Sequence, residues 1–318
     1  MDKVKSLIGV LNKNREIFAL VALIGLIIVS SLLSPHFLTT RNIKNVLAQV
    51  SVIAVLAAGE TYVILTGGID LSVGSVLALS GAITAALMKW WGMPIYVSIL
   101  GGLAIGSLCG AINGLLVSRI RIPSFIATLA MMAVARGGAL VIMKGAPISL
   151  FPPEFRIIAR YAGPISGLTI IVIVVYVIWQ LMLSYTKTGQ YIYAIGGNEE
   201  AVRVLGVKVD NVKLFVFTFS GFCAGLGGIM LNARLDAAYP TAGQGYELDA
   251  IAASVLGGIS FTGGIGSLIG TFMGALIMTI LGNLLNLLRV AAFYQFIAKG
   301  LILAIAAISL SRGLRYAK

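Results

Sequence analysis

The residues best suited to chemistry in this sequence are acidic, and they lie in two glycine-rich stretches. In "ILTGGIDLSVGS", Asp70 and Ser72 follow a glycine pair, and in "GYELDAIAASVLGGISFTGGIGS", Glu247 and Asp249 precede a run of small residues. Two neighbouring carboxylates can perform acid–base chemistry. The same residue types at a helix start accept hydrogen bonds from free backbone N–H groups and suit the positive end of the helix dipole. For Glu247 and Asp249 the helix-start role is the simpler explanation. For Asp70 and Ser72 a helix cap and a position beside a water-filled pathway both stay open, since irregular backbone in a membrane must lie against protein or a wet cavity.

Three further charged residues, Glu60, Arg136 and Lys299, fall within apolar runs. An unpaired charge inside a bilayer costs on the order of 3 kcal/mol, so each side chain should face the protein interior or water. They either line a polar pathway or pair between helices, and Lys299 has the further option of reaching the nearer membrane surface. The candidate pathway or pathway-flanking residues are Glu60, Asp70, Ser72, Arg136, Glu247 and Asp249.

Other kinds of site are disfavoured by the residue pattern. His36 is the one histidine, and Cys109 and Cys223 lie in apolar segments without metal-ligand spacing, so we predict no metal site. The glycine runs do not match a phosphate-binding loop, which ends in Gly-Lys-Ser or Gly-Lys-Thr. We therefore predict no catalytic residues and no cofactor bound by this chain.

One hydrophilic segment, "AIGGNEEAVRVLGVKV", interrupts the apolar sequence. Asn198 is a suitable N-cap, Glu199 and Glu200 fall in the first turn, and Gly206 is a natural helix end. Glu199 and Arg203 are four residues apart in the favourable orientation. The segment therefore predicts a short capped helix.

That short helix is predicted to have one apolar face, formed by Ala201, Val202 and Leu205. So short a helix is marginal in water, and it therefore needs a surface to pack against. Its own membrane domain and a cytoplasmic partner are both candidates.

The composition is that of an integral membrane protein: 59% of residues are hydrophobic and the mean hydropathy is +1.01. About 20 apolar residues cross a bilayer. We predict an all-α polytopic fold with about ten spans, in which residues 1–318 form a single transmembrane domain. The spans lie near residues 17–33, 46–65, 71–88, 95–117, 124–143, 165–183, 214–231, 248–262, 267–288 and 293–310. The third and eighth are short, which predicts broken or re-entrant helices near 67–75 and 247–264.

The charge balance predicts the orientation of these spans. The chain has 23 Lys and Arg against 11 Asp and Glu, a net charge of +12. Cytoplasmic loops of membrane proteins are enriched in basic residues, which explains this excess better than nucleic-acid binding. The distribution predicts cytoplasmic N- and C-termini and a cytoplasmic loop at residues 185–213.

A weak internal repeat relates the fourth and ninth spans. "GLAIGSLCGA" and "GSLIGTFMGA" align with one glycine per helical turn, which permits close approach of another helix. Since these spans run in opposite directions, the repeat predicts two inverted five-helix halves, a common transporter arrangement. Chance similarity is the alternative, because glycine is frequent in membrane helices. The predicted packing positions are Gly102, Gly106, Gly110, Gly266, Gly270 and Gly274.

Three motifs in order, "GGIDLSVGSVLALSG", "AIGGNEEAVRVLGV" and "GYELDAIAASVLGGISFTGGIGS", resemble the membrane-spanning permeases of ABC importers for ribose and related monosaccharides. The likeness covers essentially the whole chain. Val202 and Leu205 depart from the alanine and serine that are more usual in this family.

The resemblance implies a homodimer in the bacterial cytoplasmic (inner) membrane, surrounded by lipid. Its partners would be a cytoplasmic ABC ATPase, which binds ATP and Mg, and an extracytoplasmic sugar-binding protein that delivers the small sugar. The hydrophilic segment resembles the coupling helix that docks on the ATPase. Its residues are Gly196, Gly197, Asn198, Glu199, Glu200, Ala201, Val202, Arg203, Leu205 and Gly206.

A second hypothesis is a stand-alone, ion-coupled secondary transporter of a small polar solute. The intramembrane acids Glu60 and Asp70 and the inverted repeat motivate it. It predicts that transport stops when the ion gradient collapses while ATP remains available. An intramembrane enzyme lacks any supporting histidine, cysteine or metal pattern in the sequence.

Overall fold

The computed structural model describes residues 15–162, 165–291, 293–302 and 304. These residues are largely helical. The helices are α1 (Arg15–Leu33), α2 (Thr40–Leu65), α3 (Val73–Lys89), α4 (Ile95–Ser118), α5 (Ser124–Met143), α6 (Pro153–Arg156), α7 (Gly167–Tyr185), α8 (Lys187–Val204), α9 (Val209–Leu235), α10 (Tyr246–Leu256) and α11 (Leu268–Leu287). Residues 293–302 are also helical. Parts of the predicted tenth span, residues 303 and 305–310, and both predicted cytoplasmic termini lie outside the described residues.

Seven helices in the described part are long and apolar enough to cross a membrane: α1, α2, α4, α5, α7, α9 and α11. Helix α3 is apolar but has 17 residues, and α10 has 11. The predicted all-α, polytopic membrane fold is thereby confirmed.

Short strands join the loops that follow α5 and α9. Strand β1 (Ile148–Ser149) pairs antiparallel with β4 (Ala237–Ala238). Strand β2 (Tyr161–Ala162) pairs antiparallel with β3 (Ile165–Ser166), after a single 3-10 turn. These pairs satisfy backbone groups that leave the helical ladder, which a membrane-embedded chain must do.

Local capping residues explain where several helices begin. The side chain of Thr39 accepts from the backbone N–H of Asn42, and that of Ser166 accepts from Thr169. Ser267 does the same at α11 by accepting from the N–H of Gly270. Each cap satisfies one of the N–H groups that lack a partner inside the helix.

Helix α2 is the centre of the fold, since every residue from Val50 to Leu65 is buried. Its 26 residues make it about 39 Å long at 1.5 Å per residue. Only 28% of the span is buried in each of the flanking helices α4, α5 and α7, as expected of lipid-facing helices. We call the end of the bundle at Leu65, where α8 packs, the α8 end, and the end at Thr40 the far end.

The helical ladder is interrupted in two places near the α8 end. Helix α2 stops at Leu65 and α3 begins at Val73, with Gly67 at a φ of +81° that favours glycine. A second irregular segment, residues 257–267, separates α10 from α11. The predicted span 248–262 is consequently an α-helix only within α10, and its second half is irregular chain.

The glycines of α4 allow it to pack closely on α9. A Cβ added at Gly106 would lie 2.5 Å from the carbonyl oxygen of Gly221, and one at Gly110 would lie 3.0 Å from the Cα of Gly221. Gly102 instead faces Ser80 and Thr84 of α3. Bare glycine at these positions lets the helix backbones approach each other.

The glycines of the ninth span do not all share one helix. Gly270 and Gly274 lie on α11 and face the backbone of Ala253 in α10 and of Gly257, where α10 ends. Gly266, however, lies in the loop before α11, with a φ of +132°. Because the helix begins only after a Ser267 cap, the predicted glycine strip of three turns has two members here rather than three.

Candidate functional site

The hydrophilic segment forms the second part of α8. Thr186 caps the helix start, and the chain is then helical except at Asn198, whose φ of −161° and ψ of 98° make a kink. Beyond the kink, the Asn198 Oδ1 accepts from the N–H of Ala201 at 3.0 Å. Gly206 ends the segment at a φ of +84°. Asn198 therefore caps a second helical turn, while Gly196 and Gly197 belong to the helix before the kink.

An ion-pair network ties this second part to the start of α9. Glu199 accepts from Arg203 at 3.1 Å and from Lys213 at 2.6 Å. Arg203 also pairs with Asp210 at 2.9 Å. Networks hold geometry better than single exposed pairs, which contribute little. The arrangement fixes the direction in which the segment leaves the membrane domain.

These contacts shift the pKa values of Glu199 and Arg203. Burial raises the pKa of the Glu199 carboxyl, but hydrogen bonds and charge from Lys213 and Arg203 outweigh it, so the pKa lies below its usual value. The pKa of Arg203 is raised, first by its hydrogen bond to Asp210 and then by the one to Glu199. Both side chains therefore stay charged at physiological pH.

The first part of α8 sits directly on the two helix interruptions. A Cβ at Gly196 would lie 2.8 Å from the carbonyl carbon of Gly263, and would also overlap the backbone of Leu65 and Gly264. The N–H of Gly264 donates to the Leu65 carbonyl at 2.9 Å. Tyr193 of α8 adds a further contact, because its hydroxyl donates to the Gly266 carbonyl at 2.8 Å. Three chain segments thus meet at one point.

The tip of α8 presents apolar side chains to solvent. Val204 is 87% exposed and Leu205 is 81% exposed. Val202 is buried, and it joins the hydrophobic core. The apolar face predicted from Ala201, Val202 and Leu205 is therefore divided: Val202 anchors the segment, whereas Leu205 is exposed. Contiguous exposed apolar surface rimmed by polar residues is one mark of a protein interaction site, and these two neighbours contribute to such a surface.

A cavity of about 450 Å³ opens beside α8. Charged side chains on its walls include Arg121, Glu199, Arg203 and Lys213. The turn after α2 forms another part of the wall. The cavity is therefore charged and lies at the α8 end.

Glu60, Asp70 and Ser72 meet in a second place, inside the bundle. The Glu60 Oε1 accepts from the N–H of Asp70 at 3.1 Å, and the Asp70 Oδ1 accepts from the Ser72 hydroxyl at 2.6 Å. All three residues are buried. The cluster holds the segment between α2 and α3 in place, because Asp70 also accepts from the Ser72 N–H at 2.9 Å.

Two residues not singled out from the sequence complete this cluster. Ser220 of α9 donates to the Asp70 Oδ2 at 2.8 Å, and Asn113 of α4 donates to the Ser72 hydroxyl at 3.0 Å. Ser220 lies 150 positions from Asp70 in the chain. No local pattern signals such a partner. The one signal in the sequence is that Ser220 and Asn113 are polar residues within apolar helices.

Arg136 and Glu247 shape the loop between α9 and α10. Arg136 donates to the carbonyl oxygens of Pro240 and Ala242, both at 2.8 Å. Glu247 accepts from the N–H of Gly245 at 3.2 Å. Both side chains therefore stabilise backbone that leaves the helical ladder.

Asp249 and Lys299 form an ion pair. The Lys299 Nζ lies 2.7 Å from the Asp249 Oδ2. Asp249 is 4% exposed, so its charge is desolvated and the partner is needed. The sequence left three roles open for Lys299: lining a polar pathway, pairing between helices or reaching the membrane surface; the structure shows that it pairs. The candidate acids therefore divide into separate groups: Glu60 with Asp70, and Asp249 with Lys299.

Comparisons with known proteins agree with a transport role. Residues 42–306 match the family model described as "Branched-chain amino acid transport system / permease component". The chain is 46% identical over 296 residues to the ribose import permease protein RbsC of Escherichia coli (strain K12), covering 91% of each chain. It is 44% identical to RbsC of Bacillus subtilis (strain 168), covering 88% of each.

A further relative is named for a different sugar. The D-allose transport system permease protein AlsC of Escherichia coli (strain K12) is 40% identical, over 90% of this chain and 87% of the relative. These relatives are permeases, and the expectation that the chain is a transport subunit rather than an enzyme is confirmed. The helical membrane fold, the full-length similarity and the matched region together show that this chain belongs to the permease-component family of branched-chain amino acid transport systems.

Proposed function

We propose that this chain is the membrane-spanning permease of an ATP-driven ABC importer for ribose or a related monosaccharide. The full-length similarity to permeases named for ribose and allose supports this substrate class. A xylose permease of Haemophilus influenzae is also similar, at 34% identity. The family description refers to amino acids, but these relatives favour a sugar.

The observation that carries the proposal is the position of α8. It has exposed apolar residues at its tip and is seated by Gly196 on both helix interruptions. In the proposed function, α8 is the coupling helix and its tip enters a cleft on a cytoplasmic ATPase. That partner binds ATP and Mg and supplies the free energy.

The backbone contacts of Gly196 provide a mechanical route from α8 into the membrane domain. Movement of α8 would act on the backbone at Leu65, where α2 ends, and at Gly263 and Gly264, before α11. Bare glycine at Gly196 leaves no flexible side chain to absorb such movement. ATP binding would thereby favour one of two arrangements of the helices, and the solute would be released when the other is favoured.

The assembly completes the proposal. Two copies of the chain would form a homodimer with the pathway between them, each with about ten helices in two inverted five-helix halves. The α8 end and both termini would face the cytoplasm. An extracytoplasmic sugar-binding protein would dock at the far end and deliver the sugar, and lipid would surround α4, α5 and α7.

The docking role of α8 is tested by changing its tip. The double variant Val204→Asp, Leu205→Asp places charge on two side chains that no described part of the chain covers. We expect association with the partner ATPase to weaken at least ten-fold, because interface anchors contribute about 2 kcal/mol or more. Purified permease and ATPase in detergent, measured by co-purification and titration, give the affinity.

The control is Glu154→Gln, which changes an exposed carboxylate of α6, outside the coupling helix. It should keep wild-type affinity. Wild-type affinity of the double variant would overturn the docking role of α8.

A further inference from the structure

A pair of buried amides joins α2 to α11 near the far end. The Nδ2 of Asn42 donates to the Oδ1 of Asn283 at 2.9 Å, and the Nδ2 of Asn283 donates to the Oδ1 of Asn42 at 2.8 Å. Asn42 is 8% exposed and Asn283 is 3% exposed. Each amide therefore supplies the donor and the acceptor that the other needs, in surroundings where such bonds are strong.

The same two helices are also bonded near the α8 end. The hydroxyl of Thr61 lies 2.7 Å from the hydroxyl of Thr271 in α11. The N–H of Gly264, in the segment before α11, donates to the Leu65 carbonyl at 2.9 Å. Thr61 follows Asn42 by 19 residues, which is about 28 Å along the helix. Contacts near both ends of α2 thus hold α11 against it.

The amide pair specifies the register of the two helices. Val46 of α2 and Ile277 and Ile280 of α11 belong to one apolar cluster, and apolar side chains attract each other in many registers. The reciprocal amide pair forms in one register. A slip of one turn, about 5.4 Å, would leave the buried amide of Asn283 without its partner. A buried asparagine fixes the register of coiled coils in the same way.

Asn42 also connects this pair to the surface of the far end. Its Nδ2 donates to the Phe37 carbonyl at 2.9 Å, in the turn between α1 and α2. Asn42 lies as well on the wall of a cavity of about 770 Å³, whose walls also carry the basic residues Arg41, Lys44 and Arg234. The contacts that begin where α8 meets the chain at Leu65 thus continue to the far-end surface.

We propose that Asn42 and Asn283 are positioning residues that make α2 and α11 move as one body during transport. Helix α8 contacts both of them near the same end, because Gly196 lies against Leu65 and Gly264. A displacement there reaches the far end only if the two helices do not slide past each other, and the amide pair prevents such sliding. This inference rests on the proposed function, since it names the side chains that connect the ATPase contact to the surface where the sugar-binding protein docks.

The first test replaces the pair in the complex of permease, partner ATPase and sugar-binding protein in lipid nanodiscs. Asn42→Leu or Asn283→Leu alone leaves one buried amide without its partner and should lower the melting temperature. The double variant keeps both branched shapes without an unpaired amide, and it should recover most of the loss. Stimulation of ATP hydrolysis by the binding protein loaded with D-ribose should nevertheless fall about five-fold or more in the double variant, as expected when distant sites lose their coupling.

The control is the double variant Gln180→Leu, Ser184→Leu. It also replaces a polar pair, bonded at 2.8 Å, but both residues belong to α7 and their bond joins no second helix. This variant should keep wild-type stimulation.

A second measurement does not depend on the folding of the leucine pair. Nitroxide labels at Ile43→Cys and Leu288→Cys lie at exposed positions beside the far ends of α2 and α11. Native Cys109 and Cys223 are buried and should not be labelled. With labelled chains diluted by unlabelled ones, the distance between the two labels should be the same in the ATP-free and the vanadate-trapped complex.

The outcomes separate this inference from the proposed function. Wild-type stimulation in the leucine pair, an equal fall in the α7 control, or a label distance that changes with ATP overturns the joint movement of α2 and α11. Each of these results leaves the proposed function intact. A wild-type complex whose ATP hydrolysis the binding protein does not stimulate counts against the proposed function and this inference together.

Discussion

Charged side chains are paired differently at the α8 end and in the bundle interior beside α10. At the α8 end, Glu199 is bonded to both Arg203 and Lys213, and the most exposed groups at the tip are the apolar Val204 and Leu205. Inside the bundle, beside Gln49 and Ile53 of α2, the buried Asp249 pairs with Lys299 and leaves one oxygen without a partner among the described residues. Satisfied charges around apolar side chains suit a protein partner. Beside α10, by contrast, a single lysine balances a carboxylate that is held inside the protein.

The largest effect on stability is expected from a substitution at the packing contact between α4 and α9. Gly106→Leu would push α4 away from α9, because even a Cβ lies 2.5 Å from the Gly221 carbonyl oxygen. Overpacking costs about 1–3 kcal/mol or more, so the yield of folded protein and its melting temperature in detergent should fall sharply. Gly137→Leu is the control, since nothing lies within 4 Å of a Cβ there. Equal stability of both variants would contradict the close packing.

A smaller effect is expected at the far end from Arg136→Gln. The substitution removes two charge-assisted bonds, each 2.8 Å, to the loop at Pro240 and Ala242. Glutamine can still donate to one of the two carbonyl oxygens, so the net loss is that of one bond, about 1.5–3 kcal/mol, confined to this loop and without effect on helix packing. We expect faster hydrogen exchange in residues 239–245 with little change at α8. Hydrogen exchange that increases equally at α8 and in residues 239–245 would show that the two regions are energetically coupled.

A smaller effect still is expected from the charge-reversed double variant Glu199→Arg, Arg203→Glu. The two exchanged side chains still attract each other, but the new guanidinium at position 199 faces Lys213 and the new carboxylate at position 203 faces Asp210. Because both contacts become repulsive, the α8 tip should change direction, and ATPase affinity should fall several-fold while the fold is kept. Titration and thermal melting of the double variant measure the two quantities. Wild-type affinity would show that the orientation of the tip is unimportant.

The smallest effect is expected from pH. The pKa of Glu199 is lowered from its ordinary value of 4.5, so its contribution to stability is present above that pH and is lost as the pH falls below it, through the folded-state value. Glu199 is partly exposed, so exchange protection in α8 should fall by less than about five-fold. Exchange protection factors measured between pH 6 and pH 3 test this. Greater protection at lower pH would contradict the ion-pair geometry.

Local features of the structure could be predicted from sequence, and distant ones could not. The Asn198 cap and the end at Gly206 follow from residue types within one turn. The contact of Ser220 with Asp70 depends on how α9 packs on the rest of the bundle, which no short motif encodes. The glycine spacing predicted that Gly266 lies within a helix, but it lies in the preceding loop. The Ser267 cap, rather than the glycine spacing, determines where α11 begins.

The candidate pathway residues show the same limit. Sequence identified Glu60, Asp70 and Asp249 as acids in or beside the spans but gave no way to group them. The structure places Glu60 and Asp70 in a bonded cluster and Asp249 with Lys299 on a cavity wall. A lysine 50 residues away from an acid becomes its partner only when residues 293–302 pack against α10. Which residues the solute contacts during transport stays a prediction.

The central claim is that ATP hydrolysis by a partner protein drives a conformational change of this permease, transmitted through α8. The most direct measurement is uptake of radiolabelled D-ribose against its gradient into proteoliposomes that contain the permease, with sugar-binding protein present and the ATPase either included or omitted. The account predicts accumulation only with the ATPase and ATP, unaffected by ionophores that collapse ion gradients. Uphill accumulation by the permease without the ATPase would contradict it.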